Sequence, residues 1–304
     1  MDLKAINELC ADLEKKEGKG SVYKLGSKNS ARIIPRWSTG IEDLDNAIGG
    51  GIPQGRIIEI FGAESAGKTT LALWLAHLVE KALYIPTEGT FDTERALQMG
   101  NTKENFLVYQ PDYGEQALNQ ILKFAKAGIP LIILDSVPAT QPREDIEKLE
   151  KDAQNQLRLG GVAALFAKML PTIVRTCEMT GTTLILINQV RDNIGAVMAF
   201  GDKDTTPGGR AIRFYSSIRI KVARRAWVEV PNKNPANSAA NEKIGMIMKC
   251  RVVKSKVSNP YLECEIPLLF DRGFTSFGDL QTARQEIMKA NRSRKGKVQD
   301  DDQD

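Results

Sequence analysis

Apolar residues near the start of the chain recur every three or four positions, at Leu3, Ile6, Leu9 and Leu13. Charged residues lie between them, so the pattern predicts an amphipathic helix over residues 2–16. Gly18 and Gly20 end this helix, and residues 21–25 are predicted to form one short strand. Because this segment is too small for its own core, we expect residues 1–32 to be an oligomerisation arm that packs on its own domain or on a neighbouring subunit.

From residue 33 to about residue 280, apolar runs of strand length alternate with helical stretches. The clearest runs are residues 57–61, 83–85, 131–134 and 184–187. Alternation of this kind predicts an α/β domain, with a mostly parallel twisted sheet covered by helices on both faces. Residues 217–222, 244–254 and 262–267 are predicted as antiparallel strands added at one end.

After Leu280 the chain becomes basic and then acidic. We expect residues 281–304 to form a short tail that is disordered from about Asn291, because blocks of charge without apolar partners do not offset chain entropy. No apolar run approaches the ~18 residues of a membrane span. With no export signal at the N-terminus and four cysteines at no metal-ligand spacing, the sequence predicts a cytoplasmic protein without a membrane partner.

The chain has 304 residues and a formal net charge of only +4. A charge this small excludes a polycation that binds nucleic acid through its overall field. Any nucleic-acid binding must therefore come from local basic loops.

A phosphate-binding motif follows the strand-like run 57–61 and precedes an apolar helical stretch. Its candidate nucleotide-binding residues are Gly62, Ala63, Glu64, Ser65, Ala66, Gly67, Lys68, Thr69 and Thr70. Backbone N–H groups of such a loop surround phosphates, while Lys68 supplies charge and Thr69 supplies a hydroxyl ligand to Mg²⁺. The motif predicts binding of ATP with Mg²⁺.

Two carboxylates are candidates for the chemistry. Asp135 ends the apolar run 131–134, where a P-loop enzyme needs an acidic group on the metal side. Glu88 follows the run 83–85, at the sheet edge where ligands bind and an attacking water would be polarised. On position alone, however, a solvated loop glutamate is the more common interpretation of Glu88.

Several further stretches carry a resemblance to bacterial RecA and its eukaryotic and archaeal relatives. They are residues 38–40, 55–62, 64–73, 110–118, 187–191, 208–215 and 252–256. A match in this order, over almost all of residues 1–280, is far more specific than the P-loop alone. The resemblance implies a recombinase of the RecA type, with a RecA-like P-loop ATPase core.

The resemblance assigns roles to individual residues. It implies that Glu88 activates water, that Gln189 senses bound ATP, and that Lys254 and Lys256 reach a neighbouring subunit's phosphates. Phe214 resembles an aromatic residue that couples neighbouring subunits, although an aromatic at a strand start is also an ordinary core residue.

The resemblance also implies two loops that bind single-stranded and double-stranded DNA. The first corresponds to about residues 146–161, with Lys148, Lys151 and Arg158 as charges. The second corresponds to residues 191–209. Its candidate contacts, together with those of the following residues, are Arg191, Ile194 as an aliphatic wedge between bases, Gly208, Gly209, Arg210 and Arg213.

Some positions depart from the bacterial pattern. Arg95 stands where a tyrosine usually stacks on adenine, and here the chain resembles the eukaryotic and archaeal recombinases, in which an arginine plane can cover the base. Pro86 replaces a carboxylate often found before the catalytic glutamate. The short tail suggests a phage-type or otherwise C-terminally reduced member.

We therefore expect a DNA-dependent ATPase that forms helical homo-oligomers on single-stranded DNA and catalyses homologous pairing and strand exchange. The alternatives are a RecA-fold helicase or regulatory ATPase, and a recombination mediator that does not hydrolyse ATP. The intact set Lys68, Thr69, Glu88 and Asp135 argues against the mediator.

Overall fold

The structure is a computed structural model that describes residues 2–18, 22, 34–89, 91–151, 160–192, 204–231 and 241–300. The chain divides into two compact units, Met1–Pro35 and Arg36–Asp304. In the first unit, α1 spans Leu3–Glu17 and begins where the Asp2 side chain accepts hydrogen bonds from the backbone of Lys4 and Ala5. The strand predicted over residues 21–25 lies outside the described residues, apart from Val22.

The second unit contains the remaining elements. Its strands are β1 (Arg36–Trp37), β2 (Ile52–Pro53), β3 (Ile57–Gly62), β4 (Ala82–Pro86), β5 (Phe106–Val108), β6 (Leu131–Asp135), β7 (Thr183–Gln189), β8 (Arg191–Asp192), β9 (Asp204–Thr205), β10 (Ile218–Val230), β11 (Glu242–Ser255), β12 (Glu263–Leu269) and β13 (Gly273–Phe274). Its helices are α2 (Glu42–Ile48), α3 (Lys68–His77), α4 (Thr93–Gln98), α5 (Gly114–Lys126), α6 (Arg143–Lys151), α7 (Gly161–Thr180), α8 (Gly209–Tyr215) and α9 (Phe277–Asp300).

Within the described residues the main sheet has nine strands, in the order β13-β12-β11-β10-β3-β7-β6-β4-β5. From β10 to β5 each neighbouring pair is parallel, and from β10 to β13 each pair is antiparallel. The predicted α/β class is confirmed. One detail differs from expectation, because β10 pairs in parallel with β3 as well as antiparallel with β11.

Helices cover both faces of the sheet because the buried strands are apolar on both sides. Ile133 of β6 packs on the face that carries α2 and α3. Its neighbours Ile132 and Leu134 pack on the opposite face, against α5, α7 and α8. Parallel strands sandwiched in this way place their carboxyl ends at one edge, where β3, β4, β6 and β7 end.

The C-terminal segment differs from the expected tail, since α9 continues to Asp300. Its sequence is rich in Ala, Arg, Gln, Glu and Lys, which have high helix propensity even without apolar partners. Among the described residues, no helix combines the length and apolar character that crossing a membrane requires.

Candidate nucleotide and DNA site

The phosphate-binding loop joins β3 to α3. Gly67 begins α3 with φ of 90°, a left-handed conformation that favours glycine. A Cβ atom at this position would lie only 2.7 Å from Cε of Met246, so close packing as well as φ requires glycine. The Lys68 ammonium donates hydrogen bonds to the carbonyls of Gly62 (3.2 Å) and Ala63 (2.8 Å), which holds it over the loop. Burial lowers the pKa of Lys68, and the nearby carboxylates Asp135, Glu88 and Glu64 oppose that shift.

A hydroxyl and a carboxylate converge beside the loop. The Thr69 hydroxyl donates to Asp135 Oδ2 at 2.6 Å, and the buried Tyr84 hydroxyl donates to the same oxygen at 2.6 Å. Burial raises the pKa of Asp135, although both hydrogen bonds oppose that shift. Among the described residues no cluster of three or more His, Cys, Asp or Glu side chains could hold a metal. The Asp135 carboxylate and the Thr69 hydroxyl are oxygen ligands of the kind that Mg²⁺ uses together with waters and phosphate oxygens.

Glu88 lies exposed just past β4, at the same sheet edge. Its Oε1 atom accepts hydrogen bonds from the Ser136 hydroxyl and from the Gln189 amide, the latter at 3.3 Å. Glu88 and Gln189, which the sequence separates by a hundred residues, are therefore in direct contact. Arg95 of α4 donates to the Phe270 carbonyl at 2.9 Å and lies 3.5 Å from the Thr70 hydroxyl, at the end of the phosphate-binding loop.

Lys254 and Lys256 do not approach the phosphate-binding loop of their own chain. Both ammonium groups donate to the Phe214 carbonyl at the C-terminus of α8, at 3.0 and 2.8 Å, and Lys254 also donates to the Arg213 carbonyl at 2.5 Å. Positive charge is favourable at a helix C-terminus. Phe214 lies on this helix rather than at a strand start, and 69% of it is exposed, so it is not a core residue.

Part of each expected DNA loop has a defined backbone. In the first, α6 continues to Lys151, Lys148 pairs with Glu144 at 2.7 Å, and Arg158 lies outside the described residues. In the second, β8 and β9 pair in antiparallel fashion, and Ile194 lies outside the described residues.

The second loop returns to the core at Gly208, which has φ of 84° and precedes α8. A Cβ atom there would lie 2.2 Å from Cδ1 of Ile212 and 2.9 Å from Cγ1 of Val137. Packing against the core therefore requires this glycine, whatever it does toward DNA. Gly209 follows as the first residue of α8, and Arg210 of the same helix is exposed.

A family model for the RecA N-terminal domain matches residues 4–275. The protein RecA of Staphylococcus aureus strains JH9, Newman and N315 is in each case 38% identical over 283 residues, which cover 91% of this chain and 77% of the relative. The chain belongs to the RecA family. Its function is that of a recombinase in DNA recombination and repair.

The RecA-family site contains polar residues that the sequence analysis missed. Tyr84 donates a hydrogen bond to Asp135, and Ser136 donates one to Glu88. A third missed residue is the buried Glu59, in the strand before the phosphate-binding loop. A signal for Glu59 was present, because it is the one charged residue in the apolar run 57–61. Such a residue in a buried strand requires a partner from another part of the fold.

Proposed function

We propose that this chain hydrolyses ATP in a DNA-dependent manner while assembled as a helical filament on single-stranded DNA, and that it uses the filament for homologous pairing and strand exchange. The observation that carries the proposal is the convergence of Lys68, Thr69, Asp135 and Glu88 at the carboxyl edge of one sheet. These residues bring a phosphate-binding cation, two metal-side oxygens and a carboxylate together.

In this proposal the backbone of residues 62–67, with Thr70, surrounds the phosphates of ATP, and Arg95 covers the base. Thr69 and Asp135 would hold Mg²⁺, which would neutralise part of the phosphate charge. Glu88 orients the attacking water and accepts its proton. The Ser136 hydroxyl fixes the Glu88 carboxylate, and Gln189 connects that carboxylate to β8 and the second DNA loop.

The proposed filament supplies the remaining contacts. Lys254 and Lys256 exchange the carbonyls of α8 for phosphates of the neighbouring subunit's ATP, and the exposed Phe214 packs on that subunit. Leu3 and Leu9 of α1, which are 68% and 60% exposed, form the apolar stripe of the arm. Arg191, Arg210 and Arg213 bind DNA phosphates, Gly208 and Gly209 approach them through backbone amides, and Ile194 separates bases.

Electron microscopy with single-stranded DNA and a slowly hydrolysed ATP analogue tests this proposal against its alternatives. We expect helical filaments, ATP turnover that rises on addition of DNA, and strand exchange between homologous molecules. Closed rings would instead support a helicase. Absence of both assemblies, with no turnover, would support a mediator and overturn the proposal.

A further inference from the structure

A buried carboxylate lies between the nucleotide edge and the second DNA loop. Glu59 is in the middle of β3, is fully buried, and shares a sheet face with Ile57 and Phe61, the face that carries α7 and α8. Its Oε2 atom pairs with Nε of Arg219, its direct neighbour on β10, at 2.5 Å. The Arg219 guanidinium also lies over the Phe61 ring, 4.6 Å from its centroid.

The other oxygen of Glu59 fixes the end of β7. Nδ2 of the buried Asn188 donates to Glu59 Oε1 and to the Pro207 carbonyl, each at 2.9 Å. Oδ1 of Asn188 accepts from the backbone N–H of Gln189 at 3.0 Å. Both amide hydrogens and the amide oxygen of Asn188 are therefore hydrogen-bonded, so only one orientation of the amide satisfies all three contacts.

These contacts join the two proposed sites without a gap. Glu88 accepts from Gln189, Gln189 is bonded to Asn188, and Asn188 holds Pro207, which ends the second DNA loop. Arg219 approaches the Thr206 hydroxyl at 3.5 Å on the same side of the loop end. Glu59 is the common partner of Asn188 and Arg219, which bind the two consecutive loop residues Thr206 and Pro207.

A buried ion pair is weak evidence for a stabilising role. Replacing a buried ion pair by apolar side chains of similar size is often neutral or stabilising. A fully connected buried polar network instead selects one arrangement of the groups that it joins.

Resting on the proposed function, we infer that Glu59 and Arg219 are positioning residues that transmit the nucleotide state from Glu88 and Gln189 to the second DNA loop through Asn188. Their side chains are largely buried, 0% exposed for Glu59 and 12% for Arg219, which leaves little surface for contact with ATP or DNA. They determine whether the loop end at Thr206 and Pro207 moves together with the end of β7. The inference concerns coupling between the sites and leaves the intrinsic affinity of each site unchanged.

The quantity to measure is the ratio of DNA dissociation constants with ADP and with a slowly hydrolysed ATP analogue. For the unmodified protein we expect a ratio in the usual range for coupled sites, about 5- to 150-fold. The double variant Glu59→Met/Arg219→Met keeps the volume of the pair and should fold. We expect its ratio to fall to about one, and the effect of DNA on ATP-analogue affinity to disappear by the same factor, because coupling is reciprocal.

Two matched controls separate coupling from folding. Glu178→Gln disrupts the Arg56–Glu178 ion pair at the opposite end of β3, and Ile60→Val weakens the core of the same strand on its other face. Both should retain the ratio even where their melting temperatures fall. Glu59→Gln, which keeps a partner for Asn188 but removes the charge opposite Arg219, should give an intermediate ratio.

A double variant that folds and keeps the unmodified ratio would overturn the inference and leave a structural ion pair. If the double variant does not fold, Glu59→Gln decides by the same criterion, and an unchanged ratio there would overturn it as well. A ratio of one in the unmodified protein would also overturn the inference, because there would be no coupling to transmit, whereas a failure of DNA to raise ATP turnover would contradict the proposed function itself. The two failures are therefore distinguishable.

Discussion

Thr69 and Asp135 bind each other in the structure, whereas Lys254 and Lys256 bind backbone carbonyls of α8. The first pair joins the start of α3 to the end of β6, which the parallel sheet brings to the same edge, so one chain completes it. Lys254 and Lys256 would have to break their hydrogen bonds to these carbonyls before either could bind a phosphate. In the proposed mechanism, folding of one chain therefore completes the metal side, and assembly with a neighbour completes the lysine side.

The two largest effects should both come from residues that the fold of one chain brings together, Lys68 and Glu88. Lys68→Ala removes the ammonium group over the phosphate-binding loop, and loss of one such charge-stabilising contact costs about 10²–10³ in turnover. The protein should stay folded, because Lys68 binds loop carbonyls rather than the core. ATP turnover and thermal unfolding measure both effects, and Lys126→Ala, at an exposed position of α5, is the matched control. Wild-type turnover in Lys68→Ala would contradict the phosphate assignment.

Glu88→Gln should separate ATP binding from ATP hydrolysis at the same nucleotide site. ATP should still bind, and turnover should fall about 10²–10⁴-fold because the attacking water loses its general base. Filaments on DNA should then persist, which electron microscopy over time would show. Turnover equal to that of the unmodified protein would mean that Glu88 is not the water activator.

Mixed filaments test whether the lysine side belongs to the neighbouring subunit. Glu88→Gln and Lys254→Ala/Lys256→Ala are each expected to be inactive alone. In a random equal mixture, about a quarter of head-to-tail interfaces would pair an intact Glu88 with intact lysines, so partial ATP turnover should return. Zero activity at every mixing ratio, with mixed filaments confirmed by microscopy, would place a complete site within each subunit.

The sequence predicted features that depend on neighbouring residues and missed contacts that depend on which strands lie side by side. The strand before the phosphate-binding loop, the loop and Asp135 follow from short runs of neighbouring residues, and the structure places them as expected. The helix after the loop is present too, but it ends at His77. The contacts of Tyr84, Ser136 and Glu59 depend on which strands are adjacent, and a single sequence does not specify that order.

Phe214 is another residue whose local structure could not be predicted from the sequence. It was expected at a strand start, but Gly208 begins a short helix instead and leaves the ring exposed. The local pattern of residues 208–215 favours neither element, and in the structure Gly208 precedes the helix with Ile212 and Val137 packed against it. The first and second DNA loops are only partly described, and the roles of Arg191, Ile194, Arg210 and Arg213 remain predictions.

A smaller effect should appear in the salt dependence of DNA binding. Each phosphate contact on single-stranded DNA contributes about 0.7 to the slope of log K against log salt concentration. Replacing Arg191 and Arg213 by alanine should make the slope shallower by about that amount per lost contact. Arg175→Ala, at an exposed position of α7, and Ile194→Ala should leave the slope unchanged. An unchanged slope in the arginine variants would indicate packing or subunit contacts instead.

A further effect concerns the charge of Lys254. Burial lowers its pKa from the ordinary 10.5 to about 8; the positive charges of Lys256 and Arg219 add to the shift, and Glu59 opposes it. Between pH 8 and 10.5 the unfolded chain binds a proton at Lys254 that the folded chain does not, so this residue makes folding stability rise with pH across that window. Its contact with a neighbour's phosphate needs the charge and should weaken across the same window.

These opposite signs give a test that separates folding from assembly. ATP-dependent filament assembly should decline as pH rises above about 8, by at most about tenfold per pH unit for one titrating group. Lys254→Arg, which keeps its charge throughout this range, should assemble with a flat profile. Light scattering measures assembly, and thermal unfolding of the unassembled protein measures stability in parallel. A decline that persists unchanged in Lys254→Arg would assign the pH dependence to another group and remove the support that charge at Lys254 gives to the cross-subunit contact.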